Sequence, residues 1–312
     1  MKISFLDSAT LGEDVSLAFI KELGQFSMYQ FTSPSEVNER IKDCDVIIVN
    51  KVIIGKKEMD AAPHLKLICV AATGVNNIDV DYAASKGIIV RNAVAYSTES
   101  VAQVTFMHIL SLVGHGAYFD RFVKTGAYSH SRTFADLTHP YNEVKGKKLG
   151  IIGLGTIGSR VAEIAEVFGM HPVYFPTSGK PHSNKYVALS LAELLSECDI
   201  ITIHAPLNDK TRNLITYSQL KQMKKTAYLL NMGRGGIVNE HDLVKALNED
   251  LIAGAAIDVF EEEPIAEESP YFFIRKPEKI IFSPHIAWAS VEARKRLIEK
   301  ITEAIKDYEK QN

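Results

Sequence analysis

A chain of 312 residues exceeds the usual reach of one hydrophobic core and has room for two domains of ordinary size. With 46% hydrophobic and 23% charged residues its composition is globular, and no apolar run approaches the roughly 20 residues that span a bilayer. A formal net charge of −3 without blocks of like charge argues against nucleic acid or an anionic membrane as partner, and the N-terminal MKISFLDSATLGEDV lacks the basic flank and apolar core of a signal peptide. A cytoplasmic protein acting on a small molecule is therefore expected.

Short apolar runs alternate with helical patterns from the first residue, the arrangement of parallel strands joined by crossover helices. Strands are predicted at Lys2–Leu6, Met28–Phe31, Asp45–Val49, Leu67–Val70 and Ile88–Val90. The amphipathic stretch Asp14–Leu23 predicts a helix closed by Gly24, whose missing Cβ suits a left-handed cap. From Ser97 to His115 a longer apolar helix is expected, with Thr98, Glu99 and Ser100 offering groups to its free N-terminal amides. The polar stretch that follows, to Asn142, reads as a surface connection. A second series of strands is predicted at Lys148–Ile152, Pro172–Phe175, Asp199–Ile203, Ala227–Asn231, Ala255–Val259 and Ile280–Ser283. After Trp288 the tail is helical, because Val291, Ile298, Ile301, Ile305 and Tyr308 fall on one stripe. Cys44, Cys69 and Cys198 form no C-x-x-C pair and lie in or beside apolar segments, as reduced packing residues do, and no metal site is expected.

The segment KKLGIIGLGTIGSRVAEIAEVFG places Gly153, Gly155 and Gly158 directly after a strand-like run and directly before a helix. Gly153 can make the tight turn, Gly155 lets backbone approach a pyrophosphate, and Gly158 lets helix and strand pack closely. The pattern alone is weak, and its position between strand and amphipathic helix makes it a dinucleotide site. An acidic residue is expected about 20 residues on, where NAD-binding folds hold the adenosine ribose. Here the next strand ends in Pro176, followed by Thr177, Ser178, Gly179 and Lys180, with no carboxylate. Thr177 and Ser178 could bond the ribose hydroxyls of NAD(H), or with the lysine could take the 2′-phosphate of NADP(H), and the residues leave both coenzymes open.

Three further segments follow in order: LLNMGRGGIVNE, AGAAIDVFEEEP and FSPHIAWAS. Taken singly, an arginine between glycines, a glutamate before proline or a lone histidine is more often structural than catalytic. Together, after a dinucleotide turn and each at the end of a predicted strand, they point to a site. With ATGVNNID and YSTESVAQVTF upstream, the chain resembles the D-isomer-specific 2-hydroxyacid dehydrogenases nearly end to end. Within them it is most similar to hydroxypyruvate reductases, also called glycerate dehydrogenases, through NKV at Asn50–Val52, TGVNNID at Thr73–Asp79 and PHIAWAS at Pro284–Ser290.

The resemblance implies that Arg234 anchors the substrate carboxylate and polarises the 2-oxo group, that His285 transfers the proton, and that Glu263 orients His285, with Glu261 and Glu262 as decoys. These residue types suit those tasks: guanidinium is a permanently charged fork of donors, imidazole titrates near neutrality, and a carboxylate favours imidazolium. It further implies cofactor contacts at Thr156, Ile157, Ala205, Pro206, Met232 and Asp258, and substrate contacts at Lys51, Gly74, Val75 and Trp288. His204 reads as a packing or hydrogen-bonded histidine.

The family layout implies an α/β fold of two Rossmann-like or flavodoxin-like domains with parallel sheets. Residues 1–97 and 288–312 would form the substrate domain, with the NAD(P)-binding domain, 98–287, inserted between. A symmetric homodimer through the helix after Ser97 and its following loop is also implied. The leading function is reduction of hydroxypyruvate or glyoxylate to D-glycerate or glycolate. Another D-2-hydroxyacid specificity, such as D-lactate, is the nearest alternative, and an NAD(H)-sensing corepressor-like binding protein is the alternative of a different class.

Overall fold

The apolar runs of the first hundred residues form five parallel strands: β1 (Lys2–Phe5), β2 (Gln25–Met28), β3 (Val46–Val49), β4 (Leu67–Val70) and β5 (Ile89–Asn92). The computed structural model describes residues 1–311. By their contacts they divide into two units, Met1–Ser97 with the chain from Trp288 onward, and Thr98–Ala287.

The sheet of the first unit runs β2-β1-β3-β4-β5, so the chain reverses its direction of winding between β1 and β3. β3 and β4 are buried along their whole length, as strands covered on both faces must be. Alternate residues feed two clusters: Ile3, Phe5, Val46, Ile48 and Leu67 on one face, Ile47, Val49, Ile68 and Val70 on the other. The terminal helix Val291–Gln311 covers the first of these faces with Ala293, Leu297, Ile298, Ile301 and Ile305. Val291, expected on the same stripe, is instead exposed.

Two local expectations fail near the N-terminus, both for tertiary reasons. β2 begins three residues before the predicted strand, because Gly24 is a close-approach residue and no left-handed cap. A Cβ there would lie 2.2 Å from the Met1 carbonyl oxygen, and Gln25 N donates to that same oxygen at 2.9 Å. The helix expected over residues 14–23 shrinks to Ala18–Lys21. The residues before it bend around Arg294 of the terminal helix, whose guanidinium donates to Leu11 O at 2.6 Å and pairs with Asp14.

The second unit carries seven parallel strands: β6 (Lys148–Ile152), β7 (His171–Phe175), β8 (Val187–Ala188), β9 (Ile200–Ile203), β10 (Tyr228–Asn231), β11 (Gly254–Ile257) and β12 (Ile280–Phe282). Their order is β12-β11-β10-β9-β6-β7-β8, a doubly wound sheet that changes direction between β6 and β9. The two-residue β8 was not predicted. The helix Thr98–Val113 packs beside the helix Thr156–Val167, with the Phe106 and Phe168 rings stacked 5.3 Å apart. The expected surface connection holds a further helix, Gly116–Lys124, and a short 3-10 turn at Ala127–His130, knit by contacts among Tyr118, Phe119, Phe122, Tyr128 and His139. Among the described residues, no helix is long and apolar enough to cross a membrane.

The docking of the terminal helix is testable. Ile305→Ala empties a fully buried site and should cost about 2–5 kcal/mol in urea unfolding. A loss below about 0.5 kcal/mol, the size of an ordinary surface substitution, would mean that this helix is no part of the core.

Candidate active site

The glycine turn stands where β6 ends, at the reversal point of the second sheet, and its three glycines do three different things. Gly153 has φ +92°, and a Cβ on it would lie 2.9 Å from the His204 carbonyl oxygen at the end of β9. A Cβ on Gly158 would lie 2.2 Å from Gly153 O, so only glycine lets the helix sit this close to the turn. Gly155 caps the helix Thr156–Val167, and a Cβ there would meet nothing within 4 Å. The first-turn amides, including those of Thr156, Ile157 and Gly158, have no intrahelical acceptor and carry the positive end of the helix dipole. A cramped turn, open space at Gly155 and a row of free donors fit a dinucleotide pyrophosphate.

The walls of this turn come from neighbouring strand ends. Ala205 is buried against Gly153, Pro206 O accepts from Thr211 Oγ1 at 2.7 Å, and Met232 is buried after β10. His204 lies within 3.0 Å of Thr202 Oγ1, and its other ring nitrogen is buried without a partner. Burial pushes its pKa down to about 3, which keeps the ring neutral and unsuited to giving a proton near neutral pH. Beyond β7, residues 176–185 contain no acid. His182 ties this loop back, donating from Nε2 to Leu154 O at 2.9 Å, while the amides of His182 and Ser183 donate to the Tyr174 hydroxyl. Ser178 Oγ donates to Lys180 O at 3.2 Å, and Thr177 and Lys180 stand in the same loop.

Arg234, Glu263 and His285 follow β10, β11 and β12, at the carboxyl edge of adjacent strands. Asn231 fixes the arginine turn from both sides, its Nδ2 donating to Arg234 O and its Oδ1 accepting from Gly233 N. Gly235 then brings that turn against the next loop: a Cβ on it would lie 1.8 Å from Phe260 O. Any side chain at Gly235 would push Arg234 away from the Glu263 loop. Glu263 Oε1 accepts from Phe260 N at 3.1 Å, and Oε2 lies 2.7 Å from His285 Nδ1. Both side chains remain about a quarter exposed, at 28% and 25%. The proton between them sits on Nδ1, which leaves His285 Nε2 for another partner. The neighbouring Glu261 contributes its backbone amide to Glu240.

His285 itself has φ +52°, uncommon for a residue with a side chain. Its amide donates to Asp258 O at 2.8 Å and Ser283 O at 3.0 Å. Asp258, expected to face the cofactor, is almost wholly buried and spends its carboxylate on this segment. It accepts from Ser283 Oγ at 2.6 Å, Ile286 N at 3.0 Å and Ala287 N at 3.0 Å. Burial raises its pKa, against the lowering effect of these donors.

In the first unit, Lys51 follows β3 and Gly74 and Val75 follow β4, near the reversal point of that sheet. Asp7, at the end of β1, holds the Lys51 loop with one carboxylate that accepts from Asn50 N, Lys51 N and Val52 N at 2.6–3.1 Å. Asn77 joins the two loops, its Nδ2 donating to Val52 O and its carbonyl accepting from Ile54 N. Trp288 is half-buried, edge-on to Tyr96 with centroids 6.2 Å apart. Asp7, Asn77, His182 and Ser283 escaped the sequence reading because their partners lie far along the chain. Only the position of Asp7 just after a strand could have flagged it. Among the described residues, no cluster of three His, Cys, Asp or Glu could hold a metal ion.

Comparison with known proteins adds to this geometry. Residues 106–287 match the family model described as D-isomer specific 2-hydroxyacid dehydrogenase, NAD binding domain. The chain is similar to a glyoxylate reductase of Aeropyrum pernix, 44% identical over 77% of this chain and 72% of the relative. It is 34% identical to a hydroxypyruvate reductase of Blautia hydrogenotrophica over 96% of this chain and 94% of that one. Among solved structures it resembles the D-lactate dehydrogenase of Aquifex aeolicus complexed with NAD and lactic acid, with a TM-score of 0.84 at 28% identity, covering 100% of this chain and 96% of the other.

The burial of His204 has a pH signature. An unfolded histidine takes a proton as pH falls through 6.5, whereas the folded one resists until about 3, so stability is full above that window and is lost as pH falls through it. His204→Gln should flatten the fall in unfolding free energy between pH 6.5 and about 5, measured by urea titration. A slope equal to that of the parent protein would mean the ring is hydrated.

Proposed function

The chain belongs to the D-isomer-specific 2-hydroxyacid dehydrogenase family, and from that premise we propose that it reduces hydroxypyruvate or glyoxylate to D-glycerate or glycolate, reversibly. It is an NAD(P)-dependent oxidoreductase. The observation that carries the reading is the 2.7 Å contact of His285 Nδ1 with Glu263 Oε2, in a loop pressed against the Arg234 turn. The names of the relatives supply the substrate class.

Bound NAD(P)H supplies the hydride, and the remaining tasks fall to the chain's own side chains. Arg234 holds the substrate carboxylate and polarises the 2-oxo group, because its charge is permanent and its donors are fixed in a plane. Protonated His285 gives its Nε2 proton to the developing alkoxide. Glu263 holds the ring by Nδ1 and stabilises the imidazolium. In the first unit we assign carboxylate binding to Lys51 and the Gly74 and Val75 amides, and a specificity role to Trp288, since open α/β sheets take ligands at this edge. Thr177, Ser178 and Lys180, without an opposing acid, admit NADPH as well as NADH.

We assign the protein a homodimeric state through the segment that follows the helix Thr98–Val113. Phe134, Leu137 and Tyr141 are exposed there at 93%, 84% and 65%, apolar side chains that a second copy would cover. The three cysteines are unpaired and buried, which suits a reducing cytoplasm.

Initial rates with NADH and NADPH against hydroxypyruvate, glyoxylate and pyruvate test the reading. Turnover of either of the first two is expected, and a preference for pyruvate would transfer the assignment to a D-lactate specificity. An enzyme inactive with every 2-oxo acid would be a sensor and no dehydrogenase. His285→Ala should abolish turnover while coenzyme affinity stays within about twofold, whereas Arg234→Ala should raise KM and lower kcat together. Undiminished kcat/KM in either variant overturns its role. Sedimentation equilibrium should give twice the chain mass, and Phe134→Glu with Leu137→Glu should halve it; a monomeric parent rejects the dimer.

A further inference from the structure

His108 is buried on a largely apolar helix that also buries Ser100 and Thr105. The helix Thr98–Val113 buries Val101, Phe106, Ile109, Leu112 and Val113, and among them His108 is only 2% exposed. Desolvation holds its pKa below the ordinary range, so the ring is neutral and its burial costs free energy that a leucine would not. One hydrogen bond offsets that cost: Nε2 lies 3.0 Å from Ser283 Oγ. Ser283 Oγ gives its own hydrogen to Asp258 Oδ1 at 2.6 Å, so it can only accept from His108, whose proton therefore sits on Nε2.

We propose that His108 and Ser283 are positioning residues for His285, acting through the buried Asp258 carboxylate that grips the His285 segment. The reading rests on the role given to His285 above. His285 needs such a grip, because its left-handed backbone is disfavoured for a residue with a side chain and relaxes unless its surroundings over-determine it. Asp258 supplies three restraints, through its carbonyl to His285 N and its carboxylate to Ile286 N and Ala287 N. Ser283 Oγ donates to Oδ1, the oxygen that Ile286 N also reaches, and His108 fixes that hydroxyl by donating to it, so the pair sets the rotation of the carboxylate. Ser100, two turns earlier on the same helix, donates to Ala287 O at 2.6 Å, so the helix holds both ends of the segment Ser283–Ala287. Rotation of the Asp258 carboxylate would release the two amides and with them the direction of the His285 ring. Neither His108 nor Ser283 touches a reacting atom in this scheme.

The test uses His108→Leu, His108→Gln and Ser283→Ala in the full-length protein, with His285→Ala as reference. Three readouts are compared: kcat and KM for hydroxypyruvate, the Kd of NADPH by fluorescence titration, and the His285 ring resonances of 15N-histidine-labelled protein without coenzyme. His108→Leu and Ser283→Ala should each lower kcat about tenfold with Kd for NADPH within about twofold, and should shift or broaden the His285 resonances. His108→Gln, whose amide can donate from nearly the Nε2 position, should recover most of kcat and the parental resonances. Ser283→Ala changes a single hydroxyl, so it keeps the test open if His108→Leu fails to fold. Parental kcat and parental His285 resonances in Ser283→Ala overturn the proposal, as does a loss of kcat with the His285 resonances unmoved. Full turnover by His285→Ala would instead sink the role of His285, and the resonances would still decide whether His108 and Ser283 hold its ring.

Discussion

All strands in both sheets run parallel, so each must be followed by a crossover that returns the chain to the same starting edge. The carboxyl ends of the strands therefore gather along one edge of each sheet. In the second unit, the glycine turn after β6, His204 and Ala205 after β9, Arg234 after β10, Glu263 after β11 and His285 after β12 all stand on that edge. Residues up to 132 positions apart are neighbours in strand order because of the topology, before any side chain contributes. The first unit repeats the arrangement with Asp7, Lys51 and Gly74 after β1, β3 and β4.

Bringing the loops to one edge is not enough to bring them into contact, and here missing side chains matter. Gly153 and Gly233 each lie so close to the β9 end that a Cβ would be 2.9 Å from a carbonyl oxygen, and Gly235 meets the Phe260 carbonyl more closely still. These three approaches draw the glycine turn, the arginine turn and the glutamate loop together. Each glycine costs conformational entropy relative to alanine. That cost is accepted where backbone must pack on backbone.

Two buried carboxylates do a second kind of work. Asp7 and Asp258 each follow or end a strand, and each spends its charge on backbone amides of a neighbouring loop. A carboxylate out of water is costly unless hydrogen bonds replace its hydration, and backbone amides of the loops do so. In return, loops that would otherwise be free at a sheet edge acquire one conformation. The left-handed backbone of His285 is a product of that restraint and not of its own propensity.

Local chemistry made much of this protein legible in its sequence. Apolar periodicity gave ten of the strands to within two residues at either end, and the spacing of Gly153, Gly155 and Gly158 announced the tight turn between β6 and the helix Thr156–Val167, because these signals depend on neighbours in the chain. The terminal helix was legible along its length, and burial follows its stripe from Ile298 to Ile305 but not at Val291, which stays 38% exposed. The order of residues in motif context singled out Arg234, Glu263 and His285, which the fold places after β10, β11 and β12 at one sheet edge. Tertiary structure alone decided what long-range contacts decide: that β2 starts at Gln25 because Gly24 lies against Met1, that the helix before it is cut short around Arg294, and that Asp258 faces the His285 segment. Asp7, His108 and Ser283 belong to the same class, since the partner that gives each its meaning lies more than 20 residues away.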